Sequence, residues 1–338
     1  MSDVVCFGEA MVRLSPPDSK RLEQTTTLDV CVGGGELNVA VALSRLGTSS
    51  AWVSRLPENP LGRMIRNKAR EQGVDTSHVV WTKGDRAGLY FLELGATPRA
   101  SAVLYDRAGS AISKIEPGMV DWRKAFAEAK LFHVSGITPA LSDSAAATTE
   151  EALKAAKAAG LKVSYDLNYR SKLWTAEKAK KVQEPFMEMV DVFISNEEDL
   201  KTVFGIEVQA GVDFTEIDTA SYKAAAAEAM NRYKPEVVAI TLREAVSVWR
   251  NAWSAMAYDG EKYYEDRKYE LEVVDRVGGG DSFSAGLIWG YLGGDLERGV
   301  KFGNAFSALK HSVPGDLNWV EPGEVEKLLA GGSQRVSR

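Results

Sequence analysis

The sequence has few of the residues that build disulfide scaffolds, metal centres or membrane spans. Its only two cysteines, Cys6 and Cys31, lie far apart and lack the spacing of a metal site, which favours small buried side chains. The three histidines, His78, His133 and His311, show no ligand spacing and are interpreted as structural. No apolar run approaches the ~18 residues that a membrane-spanning helix needs. The sequence therefore predicts neither a disulfide-rich nor a membrane protein.

Basic clusters are also missing. The formal net charge is -6, and no block rich in lysine or arginine interrupts the chain, which argues against a nucleic-acid-binding protein. No basic stretch precedes the first apolar run, and Glu9 interrupts that run early, so the sequence predicts no signal peptide. We therefore expect a cytoplasmic protein that binds small molecules rather than nucleic acids or membranes.

Short apolar runs alternate with helical patterns along most of the 338 residues. The apolar runs predict strands at Val4–Phe7, Ala51–Ser54, Leu131–Ser135, Lys162–Asp166, Val192–Ser195 and Val237–Thr241. The helical patterns predict helices at about Glu36–Leu46, Ala145–Ala159, Thr175–Met189, Asp281–Leu292 and Glu297–His311. This alternation is typical of βαβ units, so we expect one α/β domain over residues 1–338 with a parallel sheet. Ligands of such sheets bind beyond the carboxyl ends of the strands.

Two stretches break the alternation. Residues from about 11 to 32 and from about 88 to 112 contain β-type patches without long helices. We interpret them as a small accessory sheet that forms a lid, and the alternative is an ordinary surface hairpin.

A cluster of three glycines precedes a predicted helix and defines what we call the glycine turn, Gly278–Gly280, followed by Asp281. The free N–H groups and the positive dipole end of a helix N-terminus stabilise anions there, and a carboxylate at the same place can accept a proton from a hydroxyl. No Gly-Lys-Ser/Thr follows, which excludes a P-loop. From these residues alone, a simple helix cap and a tight loop stay open as the alternative.

The segment 275–283 resembles the C-terminal signature of the PfkB-type sugar kinases of the ribokinase superfamily, with Gly279 in place of the usual alanine. The segment 33–38 resembles their N-terminal sugar-binding turn, and 196–199 resembles their Asn-x-x-Glu element, with Asp199 in place of the glutamate. The resemblance implies a ribokinase-like α/β sandwich with a small β lid and an ATP- and Mg²⁺-dependent sugar kinase. In it, Asp281 is the catalytic base and the amides of Gly278, Gly279 and Gly280 form the anion hole.

Within the superfamily, three further stretches resemble the 2-keto-3-deoxygluconate kinase branch: 105–111, 133–137 and 166–170. This likeness implies transfer to the 6-hydroxyl, which yields 2-keto-3-deoxy-6-phosphogluconate. A kinase of a neutral sugar such as fructose or ribose is the alternative. Arg107 and Arg170 argue against it, because arginine pairs well with a sugar carboxylate.

The resemblance also assigns contacts to individual residues. The substrate set is Gly34, Asn38, Tyr90, Tyr105, Arg107, Arg170, Asp281 and Asp316. The ATP set is Asn168, Arg170, Asn196, Thr241, Gly278, Gly280 and Asn304. Asn196 and Asp199 are assigned to the metal, the latter through water, and Asp275 to a monovalent-cation site that leaves K⁺ use open. Many relatives have glycine where this chain has Arg243, so the nucleotide contacts there stay undetermined. Dimers through the lid are common in the family, which implies a homodimer.

Two rival interpretations come from other classes of protein. A Rossmann dehydrogenase would need a glycine cluster directly after the first strand and a suitably placed acid, and neither is evident. A non-catalytic sugar sensor would have no need of Asp281.

Overall fold

The apolar runs form strands of a mixed sheet in the computed structural model, which describes residues 2–208, 219–245 and 247–332. The strands are β1 Val4–Phe7, β2 Met11–Ser15, β3 Asp29–Gly33, β4 Ser50–Val53, β5 Arg55–Pro57, β6 Val80–Thr82, β7 Gly88–Glu93, β8 Ala102–Asp106, β9 Leu131–Ser135, β10 Lys162–Asp166, β11 Val192–Asn196, β12 Val237–Ala245, β13 Arg250–Tyr258, β14 Tyr263–Glu265 and β15 Tyr269–Glu272. The helices are α1 Gly35–Arg45, α2 Pro60–Glu71, α3 Trp122–Ala125, α4 Ile137–Ala140, α5 Asp143–Ala158, α6 Ala176–Gln183, α7 Glu197–Asp199, α8 Thr219–Tyr233, α9 Gly279–Leu292, α10 Leu296–Lys310 and α11 Pro322–Leu329.

The main sheet has the order β14-β13-β12-β11-β10-β9-β1-β4, and β15 also pairs with β13. From β4 to β12 neighbouring strands are parallel, as the sequence predicts, whereas β13, β14 and β15 add in antiparallel fashion. The parallel-sheet prediction is therefore incomplete. Only four residues, 246–249, separate β12 from β13, and a parallel crossover needs a dozen or more.

The central strands are buried on both faces. In β1, Val5 and Phe7 face one layer of helices, and Val4 and Cys6 face the other, because successive side chains of a strand point to opposite faces. The layer around Val5 includes α5 and α8, and the layer around Val4 includes α1, α9 and α10. The result is an α/β sandwich, which confirms the predicted fold class.

Helices α9 and α10 pack through glycines on both sides. A β-carbon on Gly286 would lie 2.3 Å from the Cα of Gly303, and one on Gly290 would lie 2.2 Å from the Cα of Gly299. Backbone contact of this closeness gives the N-terminus of α9, where Asp281 lies, a rigid support.

A second sheet has the order β3-β2-β7-β8 and combines strands from both stretches that break the alternation. Val30 and Leu104 lie on it with 53% and 60% of their surfaces exposed. The pairing of β2 with β7 joins the two stretches into one four-stranded unit rather than two separate hairpins.

Some helices of the structure differ from the predicted ones in their bounds. The helix predicted for 175–189 ends at Gln183 and continues as a 3₁₀ segment over 184–189, because Pro185 cannot donate an α-helical hydrogen bond. The unpredicted helices are α2, α3, α4, α7, α8 and α11. Of the helices in the described residues, none has the length and apolar character that crossing a bilayer would require.

Candidate active site

A cavity of about 1190 Å³ opens at the carboxyl ends of the parallel strands. Its walls come from segments that follow β1, β9, β10 and β11, from the end of β12, and from the second sheet. This is the position at which open α/β sheets bind ligands. The cavity is large enough for a nucleotide and a small sugar together, given that ligand pockets typically span about 300–1,000 Å³.

Most of the residues assigned from the sequence line this one cavity. They are Gly34, Asn38, Tyr90, Tyr105, Arg107, Asn168, Arg170, Asn196, Asp199, Thr241, Gly278, Gly280, Asp281 and Asp316. Three assigned residues do not line it: Gly279, Asp275 and Asn304. The structure thus gathers residues that are up to 282 positions apart in the chain, from 34 to 316.

The glycine turn leads directly into α9. Gly278 is the N-cap of the helix and has a φ of 85°, a left-handed conformation that favours glycine. Asp281 lies in the first turn of the helix rather than at the cap, so the simple cap interpretation of Asp281 is wrong. A β-carbon on Gly280 would meet nothing within 4 Å, so this part of the turn is open.

Asn38 holds the Asp281 carboxylate in place. The Asn38 side-chain amide donates to Oδ2 of Asp281 over 2.7 Å, and its Oδ1 accepts from the amide of Gly34 over 3.2 Å. Both ends of the Asn38 side chain are therefore engaged. Because α1 begins at Gly35, Asn38 lies in its first turn, and its side chain contacts the first turn of α9.

Burial raises the pKa of Asp281 from 3.8 to about 6. The hydrogen bond from Asn38 and the positive charge of Arg170 act in the opposite direction. The carboxylate is thus ionised at neutral pH but more basic than an exposed aspartate, which suits a general base.

Further acidic groups lie next to Asp281. Burial raises the pKa of Asp166 well above its ordinary value, and the charges of Asp281 and Asp199 add to this rise. Arg170, which donates to the carbonyl of Tyr169 over 2.9 Å, opposes the rise. Asp166 belongs to the 166–170 stretch that resembles the family, but the resemblance gave it no role.

The two residues assigned to the metal organise a loop. Oδ1 of Asn196 accepts from the amide of Asp199 over 2.8 Å, and Oδ2 of Asp199 accepts from the amide of Tyr169 over 2.9 Å. Within residues 2–208, 219–245 and 247–332, no group of three or more metal-binding side chains is positioned to hold an ion by itself. The two oxygen-bearing side chains, Asn196 and Asp199, fit a Mg²⁺ ion that is bound mainly by nucleotide phosphates and water, which is the usual arrangement for this ion.

Arg107 is engaged inside the protein. Its guanidinium pairs with the carboxylate of Glu9, which also accepts a hydrogen bond from the Ser110 hydroxyl over 2.6 Å. Only 9% of Arg107 is exposed. Arg107 also lines the cavity, so its contact with the sugar carboxylate stays a prediction, and the structure adds that Glu9 already engages part of its guanidinium.

A buried cluster lies behind the glycine turn, and we call it the Arg13 cluster: Arg13, Tyr90, Asp275 and Asp316. The Arg13 guanidinium lies 2.7 Å from Asp275 and 3.0 Å from Asp316, and the Tyr90 hydroxyl donates to Asp316. Asp275 also accepts from the amides of Val277 and Gly315. The cluster links strand β2 of the second sheet to the glycine turn.

Arg13 was missed by sequence reasoning. It is one polar residue in a short strand, and the two acids that pair with it lie 262 and 303 positions away. The alternation of apolar and polar residues in β2 predicts a solvent-facing arginine, whereas the structure leaves only 3% of it exposed.

Asn304 is the clearest correction among the nucleotide assignments. It is fully buried, and its side-chain amide donates to Asp266 over 2.8 Å and to the carbonyl of Arg267 over 2.9 Å. Helix α10 therefore directs Asn304 at the connection between β14 and β15, away from the lining of the cavity.

The end of α10 supports the glycine turn. The Ser307 hydroxyl donates to the carbonyl of Gly279 over 2.7 Å, and a β-carbon on Gly279 would lie 2.5 Å from the His311 ring. The methyl group of an alanine at this position would therefore clash with the imidazole, whereas Gly279 leaves room for it. His311 lines the cavity beside Trp253, and burial lowers its pKa to about 4, so its ring is neutral.

The model of the pfkB family carbohydrate kinases matches residues 1–321. The chain belongs to this family. A crystal structure of 2-dehydro-3-deoxygluconokinase from Thermotoga maritima superposes with a TM-score of 0.93 at 45% identity and covers 98% of this chain and 100% of that chain. The ribokinase-like fold and the carbohydrate-kinase activity of the family, both expected from the sequence, are thereby confirmed.

Two relatives of this carbohydrate kinase carry names of other sugar acids. A 2-dehydro-3-deoxygalactonokinase of Haloferax volcanii is 38% identical over 100% of this chain and 99% of its own length. A 5-dehydro-2-deoxygluconokinase of Shouchella clausii is 30% identical over 92% of this chain and 90% of its own length.

Proposed function

We propose that this carbohydrate kinase transfers the γ-phosphoryl group of ATP to the 6-hydroxyl of 2-keto-3-deoxygluconate. The observation that carries the proposal is the ionised carboxylate of Asp281, held by Asn38 at the open end of the glycine turn inside a cavity of nucleotide-plus-sugar size. The 45% identity to the Thermotoga maritima enzyme supports this substrate class.

In the proposed reaction, the 6-hydroxyl lies against Asp281 and gives it the proton as the oxygen attacks the γ-phosphorus. The bond between that phosphorus and the bridging oxygen of ATP breaks, and ADP leaves with the bridging oxygen. The amides at the start of α9 hold the charge that develops on the phosphoryl oxygens, since free N–H groups and the helix dipole converge there. Bound Mg²⁺ would neutralise phosphate charge, with Asn196 and Asp199 on its side of the cavity. Asp281 then passes its proton to water when the product leaves.

Arg170 is the best candidate to bind the sugar carboxylate. It follows β10, lines the cavity and is exposed there, and among the described residues it forms no salt bridge. Arginine binds a carboxylate through two parallel hydrogen bonds, which a neutral sugar cannot offer. Tyr105, which lines the same cavity, adds a hydroxyl on the side of the second sheet.

The nucleotide fits the opposite end of the cavity. Thr241 and Arg243 of β12 line it there together with Arg276, which precedes the glycine turn. Burial lowers the pKa of Arg276, and the charge of the nearby Arg243 lowers it further. Two neighbouring cations suit the polyphosphate chain of ATP, because phosphate oxygens bring their charges together.

We further propose that the second sheet acts as a lid and that two copies of the chain pair through it. The exposed Val30 and Leu104 support this pairing, since each presents an apolar side chain on the outer part of the sheet. A cytoplasmic location fits an enzyme that consumes ATP.

The substrate assignment is tested by an assay of ADP release over a panel of sugars: 2-keto-3-deoxygluconate, its galacto epimer, 5-keto-2-deoxygluconate, fructose and ribose. We expect the first to give the highest kcat/KM and NMR of the product to show the phosphate on C6. A higher kcat/KM for fructose or ribose would establish the neutral-sugar alternative.

The galacto epimer is a second candidate, favoured by the 38% identity to the Haloferax volcanii enzyme. Equal kcat/KM values for both epimers would mean that the cavity does not distinguish the hydroxyl by which they differ.

A further inference from the structure

A buried lysine lies directly beneath the glycine turn. Lys310 is the last residue of α10 and is 0% exposed. Its Cε lies 3.4 Å from the position that a β-carbon of Gly278 would have. A buried ammonium group is costly unless polar partners compensate it, so this position requires an explanation.

The partners of Lys310 are main-chain oxygens. Its Nζ donates to the carbonyl of Val313 over 3.0 Å and to the carbonyl of Asp275 over 3.4 Å. Within the described residues it forms no salt bridge, and the nearby carboxylates of Asp275 and Asp316 are both paired with Arg13. Carbonyl oxygens around a single positive charge are an arrangement that suits a bound monovalent cation equally well.

The charges beneath the turn are balanced. Two acids, Asp275 and Asp316, face two bases, Arg13 and Lys310. Burial lowers the pKa of Lys310, and the charges of both acids act against this fall and favour the ammonium form. Loss of Lys310 would leave one uncompensated negative charge behind the amides that receive the phosphoryl group. That charge would oppose the transfer, because electrostatic interactions are strong in a buried site.

Lys310 also fixes the shape of the turn. Asp275 is the first residue of the segment that leads to Gly278. The amides of Val274 and Asp275 donate to the carbonyl of His311, which is the residue after Lys310. The end of α10 and the start of the turn are thus joined from both sides. The ammonium group of Lys310 bonds to one carbonyl on each side of this junction, that of Asp275 and that of Val313.

We propose that Lys310 is a positioning residue whose covalently attached ammonium group lies beneath the glycine turn in place of a bound ion, so that phosphoryl transfer by this enzyme needs no dissociable monovalent cation. The proposal rests on the kinase function proposed above. It gives a structural reason to expect no K⁺ requirement, a question that the sequence left open at Asp275.

The first test uses the unaltered enzyme in the ADP-release assay with 2-keto-3-deoxygluconate. KCl, NH₄Cl, NaCl and choline chloride are compared at equal ionic strength, because screening alone changes rates. We expect the four kcat values to agree within about twofold, a spread that ordinary salt effects produce. A rise of tenfold or more in K⁺ overturns the proposal and leaves the kinase function intact.

The second test compares Lys310→Met with Lys310→Gln. The methionine removes both the charge and the hydrogen bonds, whereas the glutamine amide can still donate to the carbonyls without charge. We expect kcat to fall by about tenfold to 100-fold in both variants, as for other preorganised groups that stabilise a transition state, with KM for the sugar changed little. K⁺ or NH₄⁺, but not choline, should restore at least part of the activity of Lys310→Met.

The outcomes separate the two proposals. Full activity of Lys310→Gln in choline chloride would show that only the hydrogen bonds of Lys310 matter. An impaired Lys310→Met whose activity no cation restores would show a purely structural role. Each of these two results overturns the inference. If neither variant folds, as judged by thermal unfolding, the salt series on the unaltered enzyme still decides. An unaltered enzyme that phosphorylates no sugar acid in any salt would instead refute the proposed function.

Discussion

Asp275 and Asp281 lie at the two ends of one short segment, yet their surroundings differ completely. Asp275 is buried behind the glycine turn, pairs with Arg13 and accepts from two main-chain amides. Asp281 faces the cavity, and its only side-chain hydrogen bond among the described residues comes from the neutral amide of Asn38. The comparison teaches that six residues of separation suffice to give one carboxylate a structural task and the other a basicity fit for proton transfer.

The largest expected effect is a loss of stability when the guanidinium of Arg13, which pairs with Asp275, is removed. Arg13→Met leaves the buried Asp275 and Asp316 without their partner, which typically costs about 3–5 kcal/mol in the free energy of unfolding. Urea unfolding followed by circular dichroism measures this loss. Arg86→Met, which breaks an exposed pair with Asp106, is the matched control and should cost less than about 1 kcal/mol.

Equal losses in the two arginine variants would contradict the distinction between a buried cluster and a surface pair. They would mean that the Arg13 cluster contributes little beyond what an exposed salt bridge does.

The substitution Asp281→Asn tests the proposed general base directly. The amide cannot accept the proton of the hydroxyl, so we expect kcat to fall by at least ~100-fold. Asp295→Asn is the control, because Asp295 caps α10 and asparagine caps equally well. Steady-state ADP release gives kcat for both, and thermal unfolding should show both variants folded.

Near-normal turnover of Asp281→Asn would remove the residue from its proposed role and leave only its contribution to packing.

Two arginines that line the cavity, Arg170 and Arg243, allow a finer comparison within the candidate active site. Arg170→Ala should raise KM for 2-keto-3-deoxygluconate by about tenfold or more, since a hydrogen bond to a charged group contributes about 1.5–3 kcal/mol. KM for ATP should change much less. Arg243→Ala, on the nucleotide side, should show the reverse pattern.

If Arg170→Ala raised both KM values equally, the residue would act on the shape of the cavity rather than on the sugar carboxylate.

The smallest expected effect concerns pH. Asp281 is active as a base only when ionised, so kcat/KM should fall as the pH drops through its pKa of about 6. The hydrogen bond from Asn38 lowers this pKa, so Asn38→Ala should shift the acid limb of the profile to higher pH. An acid limb near pH 4, or a shift to lower pH in the variant, would contradict the environment described for Asp281.

Much of the α/β order follows from local patterns. Strands β1, β9 and β10 begin and end where the sequence predicts, because a buried parallel strand is a continuous apolar run that needs no partner to be recognised. The antiparallel strands β13, β14 and β15 were not predicted. Strands β14 and β15 are short polar and aromatic segments that become strands by pairing with β13, whereas β13 is a long, buried strand that mixes polar, small and aromatic residues and pairs with β12.

The candidate site shows the same division. Asp281 was identified because a glycine turn and an acid at a helix start are adjacent in the chain. Arg13, Lys310 and His311 were not, because each acts on the turn from a distant segment. The assignment of Asn304 needed correction for the same reason, since Asp266 engages it through folding alone, and the pairing of Arg107 with Glu9 was not predicted either.

The sequence by itself determined the alternation of strands and helices, the glycine turn, and the acid that follows it, since these depend on residues close in the chain. Only the tertiary structure decided which charges are buried together, which arginine stays free for a ligand, and how basic Asp281 is. Desolvation and ion pairing depend on what surrounds a group in space, and segments as far apart as β2 and the end of α10 supply those surroundings.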